Sequence, residues 1–421
     1  MRNQRGAIAI HVAFALIGVL AFAAMVVDQG VFYVSRRQVQ NAADAGALAA
    51  AITLLNDPSA ATEARLAAQA LARANVVWGE ATADADIVVS SLPFACPDGT
   101  LSCARVDVMR GQPDRNGTAH SNTIPTYMMR MVGPTQQGVR ATATAQVAAG
   151  NAVQCIKPWV VADKWTDNSG SGSNTSGWDQ LDEYNPGIDS YAPSGFKATG
   201  TGNDYGLQLA LKEGATGTWS SGWTMEIDLG SHGSSAYRDE IEGCPGYVPT
   251  VGLYNSSVAC SAKADEDPEK GCLGVKTGMS QGPTQQGVHA LVALDSSASW
   301  NSATSSVQGG CMTSGTCANP TGLNISPRIV PLAIFNTSAY VASGCSGTNC
   351  VAQVVNLLGF FVEGMCDEVY PSAGSRPAFC GSPSEANKTV IGRLMNYPGQ
   401  FSGISGPAGP STFVKVTRLI R

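Results

Sequence analysis

The chain has 421 residues, 47 of them Gly and 22 Pro, with 14% charged residues and a formal net charge of −6. That length allows two or three domains, and many Gly and Pro with little charge point to turn-rich β structure rather than disorder. With no long basic or acidic run, nucleic acid is not an expected partner.

Ala7 to Val27, "AIAIHVAFALIGVLAFAAMVV", holds one ionisable group, His11. As a helix it is long enough to cross the roughly 30 Å hydrocarbon layer. Arg2 and Arg5 favour a cytoplasmic amino terminus, although Arg36 and Arg37 follow the span. The alternative is a cleaved signal peptide, with Ala21-Phe22-Ala23 preceding the cut. Against cleavage, the apolar run continues to Val27 and no proline occurs before Pro58. His11 is read as an imidazole near the headgroups or against a partner helix.

The next stretch, "RRQVQNAADAGALAAA" from Arg36 to Ala51, favours helix strongly. Gly/Ser or Pro composition would serve a mere spacer better. Unbroken from Ala7 to Leu55, the helix is about 70 Å long, more than a bilayer needs. Asp57-Pro58 reads as a cap and first position for a second alanine-rich helix ending near Asn75. Ala42, Gly46 and Ala50 recur every four residues, beside the row Ala43, Ala47 and Ala51. Such a stripe admits a closely packed helix. Its spacing fits a seam with another molecule and packing on the chain's own domain equally well.

The segment from Arg5 to Ala51 resembles the amino-terminal signature of TadE/TadG-like (TadG-type) proteins of tight-adherence (Flp) pilus assembly. The shared parts are Arg5-Gly6, the apolar span, the Asp28-x-Gly30 exit, Tyr33, and Gln40-Asn41-Ala42-Ala43-Asp44-Ala45. "CIKPWVVADKW", "NDYGLQLALKEG" and "NLLGFFVEG" downstream look similar to the body of TadG-like members. The resemblance implies an envelope-anchored accessory of pilus biogenesis. Its partners would be the inner membrane and other pilus-assembly or pilin-like proteins, met through the amino-terminal helix. Gly6 is the candidate processing glycine, and His11 stands where prepilins place glutamate.

Residues 86–147 read as a small α+β unit. "DIVVSS" and "ARVDVM" are expected strands, with Cys96 and Cys103 stapling the hairpin and a short helix near Pro125. In "VRATATAQV", Val139, Ala141, Ala143, Ala145 and Val147 alternate with polar residues, a strand with one buried face. From about Asn151, Gly/Ser/Asn/Thr loops separate apolar strands such as "RIVPLAIF" and "VVNLLGFFVEG". That pattern reads as a β-sandwich or a related all-β domain.

Twelve cysteines lie between Cys96 and Cys380 and none precedes them. The close pairs Cys96/Cys103, Cys311/Cys317 and Cys345/Cys350 sit in loops without nearby histidines, which points to disulfides and an exported body rather than zinc. Asp295, Ser297 and Ser299 in "LVALDSSASW" match D-x-S-x-S and resemble the metal-ion-dependent adhesion site of von Willebrand factor A domains. Their oxygens would suit magnesium. That domain requires alternating strands and helices. A capped turn, with Asp295 and the serines bonding local backbone, is the other reading and the one favoured.

The loop "DNSGSGSNTSGWDQLDEYNPG" carries calcium-type donors without calcium-loop spacing and is read as a solvated loop. "GPTQQGV" occurs at Gly133–Val139 and again at Gly282–Val288, which reads as one shared turn. His120, His232 and His289 lie in no catalytic motif, and Asp239/Glu240 reads as surface charge.

The expected fold class is α+β: a transmembrane helix over 1–58, a pilin-like α+β unit over 59–150, and a β-rich, disulfide-bearing, sandwich-like domain over 151–421. The expected function is a noncatalytic, single-pass inner-membrane accessory of Flp pilus assembly, without a cofactor, its amino terminus cytoplasmic and its body periplasmic. The alternatives are a surface adhesin using Asp295, Ser297 and Ser299, and a signal-cleaved secreted enzyme.

Overall fold

The computed structural model describes residues 5–56, 60–97, 103–131, 133–170, 177–193, 195–211, 224–227, 229, 233–244, 249–276, 280–344, 350–409 and 412–420. The chain divides into two compact units, residues 1–148 with 417–421, and residues 149–416.

In the first unit, α1 (Arg5–Asn56) runs as one helix through the apolar span and the alanine-rich stretch. Neither segment contains proline, and Ala is the commonest residue in both, so nothing in the backbone interrupts the hydrogen-bond ladder. The second helix, α2 (Ala61–Ala74), follows; the expected cap at Asp57-Pro58 lies outside the described residues. Ala64, Ala68 and Ala72, four apart on α2, are fully buried beside Ala42, Ala43, Ala47, Ala50 and Ala51 of α1. The outer half of α1 is therefore core of the α+β unit, which has no boundary near residue 58.

The helices pack on three antiparallel strands: β1 (Ile87–Val89), β2 (Cys103–Arg110) and β5 (Val139–Ala149). Val106 of β2 pairs with Val89 on one side and Ala143 on the other. Along β5, Val139, Ala141, Ala143 and Ala145 are buried, as the alternation predicts, and they join the same core as α1 and α2.

The helix expected near Pro125 is instead a two-residue strand, β3 (Ile124–Pro125), paired with β4 (Gln136–Gln137) and followed by one 3₁₀ turn at Met129–Met131. The N–H groups of residues 127–129 are bonded to the Asp28 carboxylate, and the chain then makes one 3₁₀ turn before Gly133 rather than continuing as a helix.

The second unit is built on seven strands: β6 (Trp159–Ala162), β7 (Gln208–Leu211), β8 (Thr224–Ile227), β9 (Cys272–Lys276), β10 (Ile329–Phe335), β11 (Cys350–Met365) and β12 (Val390–Met395). Their order is β9-β8-β6-β10-β11-β12-β7, and β9 pairs a second time with the start of β11. Five strands thus close into a ring, while the far end of β11 carries β12 and β7 beyond it. All of these pairings are antiparallel except β6 with β10.

Apolar runs without alternation mark strands covered on both faces. Ile329, Ala333 and Phe335 of β10 enter one core, whereas Val330, Leu332 and Ile334 enter the other. The second core is covered by α3 (Ser234–Glu242) and α4 (Gln281–Ala293), through Tyr237, Ile241, Val288 and Leu291. The region is β-rich as expected, but helices, not a second large sheet, cover that face.

The helix α4 contains the second "GPTQQGV". Thr284, Gly287, Val288 and Leu291 form its buried face at helical spacing, and Pro283 is tolerated in the first turn, where no intrahelical N–H bond is lost. The first copy is extended through β4 into β5. The shared-turn reading is therefore corrected: one heptapeptide is strand in one unit and helix in the other.

Disulfides join Cys96–Cys103, Cys155–Cys244, Cys260–Cys272, Cys311–Cys317 and Cys366–Cys380. Cys345, and with it the expected Cys345/Cys350 pair, lies outside the described residues.

Candidate functional site

The chain's most distinctive surface is the first half of α1. Phe14 is 71% exposed and Phe22 70%, and every large apolar residue from Ile8 to Val27 stands out from the protein. Length and composition make this helix fit to cross a membrane, and leaving that much apolar area in water would be strongly unfavourable. Gly6 lies in its first turn.

At Asp28 the environment changes abruptly. Asp28 is 2% exposed, and its carboxylate accepts the backbone N–H groups of Tyr127 at 2.9 Å, Met128 at 3.1 Å and Met129 at 2.5 Å. A carboxylate that replaces water with three N–H donors is held firmly. It fixes the loop after β3 to the helix one residue beyond the apolar run. Beside this joint, the Trp78 indole N–H donates to the Tyr127 hydroxyl at 3.0 Å, and the Trp78 backbone N–H donates to Gln38 Oε1 at 2.8 Å. Tyr33, Tyr127 and Met128 remain 68%, 49% and 47% exposed. The sequence marked Asp28 as the first acid after the span, but its partners lie about a hundred residues away and carry no side-chain signal.

The stripe Ala42, Gly46 and Ala50 is buried inside its own unit. A Cβ built on Gly46 would stand 3.0 Å from Ala68 O, 3.2 Å from Ala72 Cβ and 3.4 Å from Val106 Cγ1. The partner helix is thus the chain's own α2. Of the two readings the spacing left open, packing on the chain's own domain is the one these contacts display.

Asp295, Ser297 and Ser299 do not converge. Asp295 is buried, and Ser297 and Ser299 are exposed. Asp295 Oδ1 accepts the Cys311 N–H at 3.1 Å and Oδ2 accepts the Ser326 hydroxyl at 2.6 Å. Its carbonyl, with that of Ala298, receives the buried Arg328 guanidinium. The motif follows the end of α4 rather than a strand, so it lacks the strand-to-loop setting of the adhesion site it resembles. Asp295 instead fastens a turn.

In the loop 167–187, Asp167 Oδ1 accepts from Ser169 N, Ser169 Oγ and Gly170 N, and Asp189 accepts from Asn168, Ser169 and Asn185. Burial, with Asp179 and Asp167 nearby, raises the Asp182 pKa. Residues 171–176 lie outside the described residues. Among the described residues no three His, Cys, Asp or Glu are gathered to hold a metal ion.

His120 Nδ1 lies 2.8 Å from Asp86 Oδ1, both side chains nearly buried, and His289 pairs with Glu368 at the surface. His232 lies outside the described residues. Asp239 pairs with Arg238 in partial exposure, whereas Glu240 is 6% exposed, so the surface-charge reading is corrected for Glu240. Its carbonyl oxygen and that of Gly243 receive Lys157 Nζ at 3.1 and 2.7 Å. These contacts join elements of the fold.

Residues 6–53 match the family model Tad, putative Flp pilus-assembly TadE/G-like. The matched segment takes in the apolar span, Asp28 and the buried stripe, and stops within α1. No curated protein and no solved structure matches the chain.

Proposed function

We propose that this protein is a noncatalytic, membrane-anchored accessory of Flp pilus assembly, its amino terminus cytoplasmic and its disulfide-bearing body periplasmic. One observation carries the reading. The residues that match the Tad model coincide with a helix whose first half is exposed and apolar and whose second half is the core of a folded unit. Such a helix anchors a body and holds it at the membrane without a flexible linker. The five disulfides among the described residues support an oxidising compartment for that body. With the Ala42/Gly46/Ala50 stripe occupied by α2, pilus partners would be met on other surfaces.

The test replaces Ile8–Val27 with a cleavable signal in a strain that depends on this chain for pili. Loss of pili with a folded, released body supports the anchor. Normal pili would overturn it, and a native amino terminus at Ala24 on released protein would favour the secreted reading. Metal-dependent surface binding abolished by Asp295→Ala would favour the adhesin.

A further inference from the structure

We infer that the edge of the first unit formed by Tyr33, Tyr127, Met128 and Arg130 docks on the headgroup layer of the bilayer that α1 enters, as a second membrane contact beside the span. The inference rests on the reading of α1 as a membrane anchor.

The geometry sets the depth. Val27 ends the apolar run, and Asp28 holds the backbone of residues 127–129 by three hydrogen bonds, so Met128 is fixed at the level where the hydrocarbon layer ends. Tyr33 lies five residues further along α1, about 7–8 Å at the helical rise, within the zone where headgroups succeed hydrocarbon. Tyrosine and tryptophan concentrate at that depth because one end of the ring is apolar and the other can hydrogen-bond. Tyr127 and Met128, about half exposed on a loop otherwise tied to the helix, meet this requirement.

Charge supports the same occupant. Arg130 is exposed on the loop two residues after Met128, and Arg36 and Arg37 are exposed on α1 about 12–14 Å beyond Asp28 along the helix; an anionic leaflet attracts each such cation. Asp28, the acid of the joint, has its carboxylate turned into the loop and away from lipid phosphate. Continuity with the apolar span selects the bilayer: any other partner would have to reach this edge between the unit and the membrane surface.

The test uses the full chain in vesicles of phosphatidylcholine with phosphatidylglycerol, carrying an environment-sensitive fluorophore as a noncanonical residue at position 128 or, as a control, at Leu66. Leu66 is exposed on α2, which meets α1 near Gly46, about 27 Å beyond Asp28 along the helix. Protease protection of the α1 fragment reports the anchor independently. With α1 protected, lipids brominated near the headgroup are expected to quench the probe at 128 and leave the probe at 66 bright. Quenching at 128 should weaken in Arg130→Glu, which alters no contact that holds Asp28. A protected α1 with an unquenched probe at 128 would overturn the docked edge and leave the anchor standing, including the case where a second copy crosslinks there. An unprotected α1 would overturn both.

Discussion

Gly46 and Ala68 approach so closely that a Cβ on the glycine would lie 3.0 Å from the alanine's carbonyl oxygen. That oxygen belongs to the backbone of α2 and cannot swing aside. Gly46→Leu should therefore force α1 and α2 apart and cost about 1–3 kcal/mol as an overpacked core site. Thermal unfolding of the full chain in detergent would register the loss. If the stripe served another molecule, the same substitution would leave the melting temperature unchanged and alter association alone.

The joint at Asp28 gives a separate expectation. Asp28→Ala leaves the N–H groups of Tyr127, Met128 and Met129 without their acceptor, so amide exchange at these residues should rise while β2 and β5 stay protected. Asp28→Asn keeps one oxygen acceptor and should give an intermediate rate. Equal protection in all three proteins would show that the loop is held by something other than the carboxylate.

How far the sequence dictates this molecule differs between elements. The course of α1 follows from composition, since an alanine-rich run without proline has little alternative, and the alternation of β5 specified which residues face the core. The two copies of "GPTQQGV" mark the limit. In both, the second glycine admits a close neighbour: a Cβ on Gly138 would meet Gly111 O at 2.5 Å, and one on Gly287 would meet Ile241 Cβ at 2.8 Å. The helix or strand around it is set by distant packing, which outweighs the small local preferences of Gln, Thr and Gly. The Asp28 joint was half legible for the same reason, because backbone donors leave no residue signature. Helices such as α3, with serines at its start, and α4, with two glycines and a proline, hide among loop-like sequence until their buried faces are known.

A relay of hydrogen bonds ties the sheet to those helices. Trp159 Nε1 donates to the Tyr237 hydroxyl at 2.8 Å, and Tyr237 lies 3.0 Å from Thr284 Oγ1, which donates to Ser280 O. Thr284 has its proton engaged, so Tyr237 donates to it. Tyr237→Phe would strand the buried Trp159 N–H and cost about 1–3 kcal/mol. Pairing it with Trp159→Phe should cost less than the sum of the two single changes. Additive losses in denaturant unfolding would mean that the relay contributes nothing as a unit.

The disulfides should rank by the chain they close. Cys155 and Cys244 are 89 residues apart, Cys311 and Cys317 only 6. Constraint of the unfolded chain makes the first worth about 4–5 kcal/mol and the second about 2 kcal/mol. Paired Cys→Ser replacements compared by denaturant midpoint should show that order. A larger loss for the 311/317 pair would place its importance in the local turn that Asp295 fastens.

Lys157 makes stability depend on pH. Burial lowers its pKa to about 7 from 10.5, opposed by Glu240 and Glu242. Below pH 7 the native state carries a buried ammonium that the unfolded chain holds in water. Between pH 7 and 10.5 the unfolded state binds more protons, so the unfolding free energy rises with pH, by at most about 1.4 kcal/mol per unit for one group. Burial lowers Lys415 to about 8, which adds the same trend from that pH upward. Asp163 and Asp182, each raised to about 6 chiefly by burial, act in the opposite sense, with stability falling as pH rises from 3.8 through 6 and the fall fading above pH 7. The tyrosines raised by burial, Tyr191, Tyr237, Tyr340 and Tyr397, hold their protons in the native state and lower stability only as pH passes 10. Denaturant midpoints between pH 7 and 9.5 should therefore climb, and Lys157→Met should remove the rise between 7 and 8. A slope that survives in Lys157→Met would assign the titration to another group.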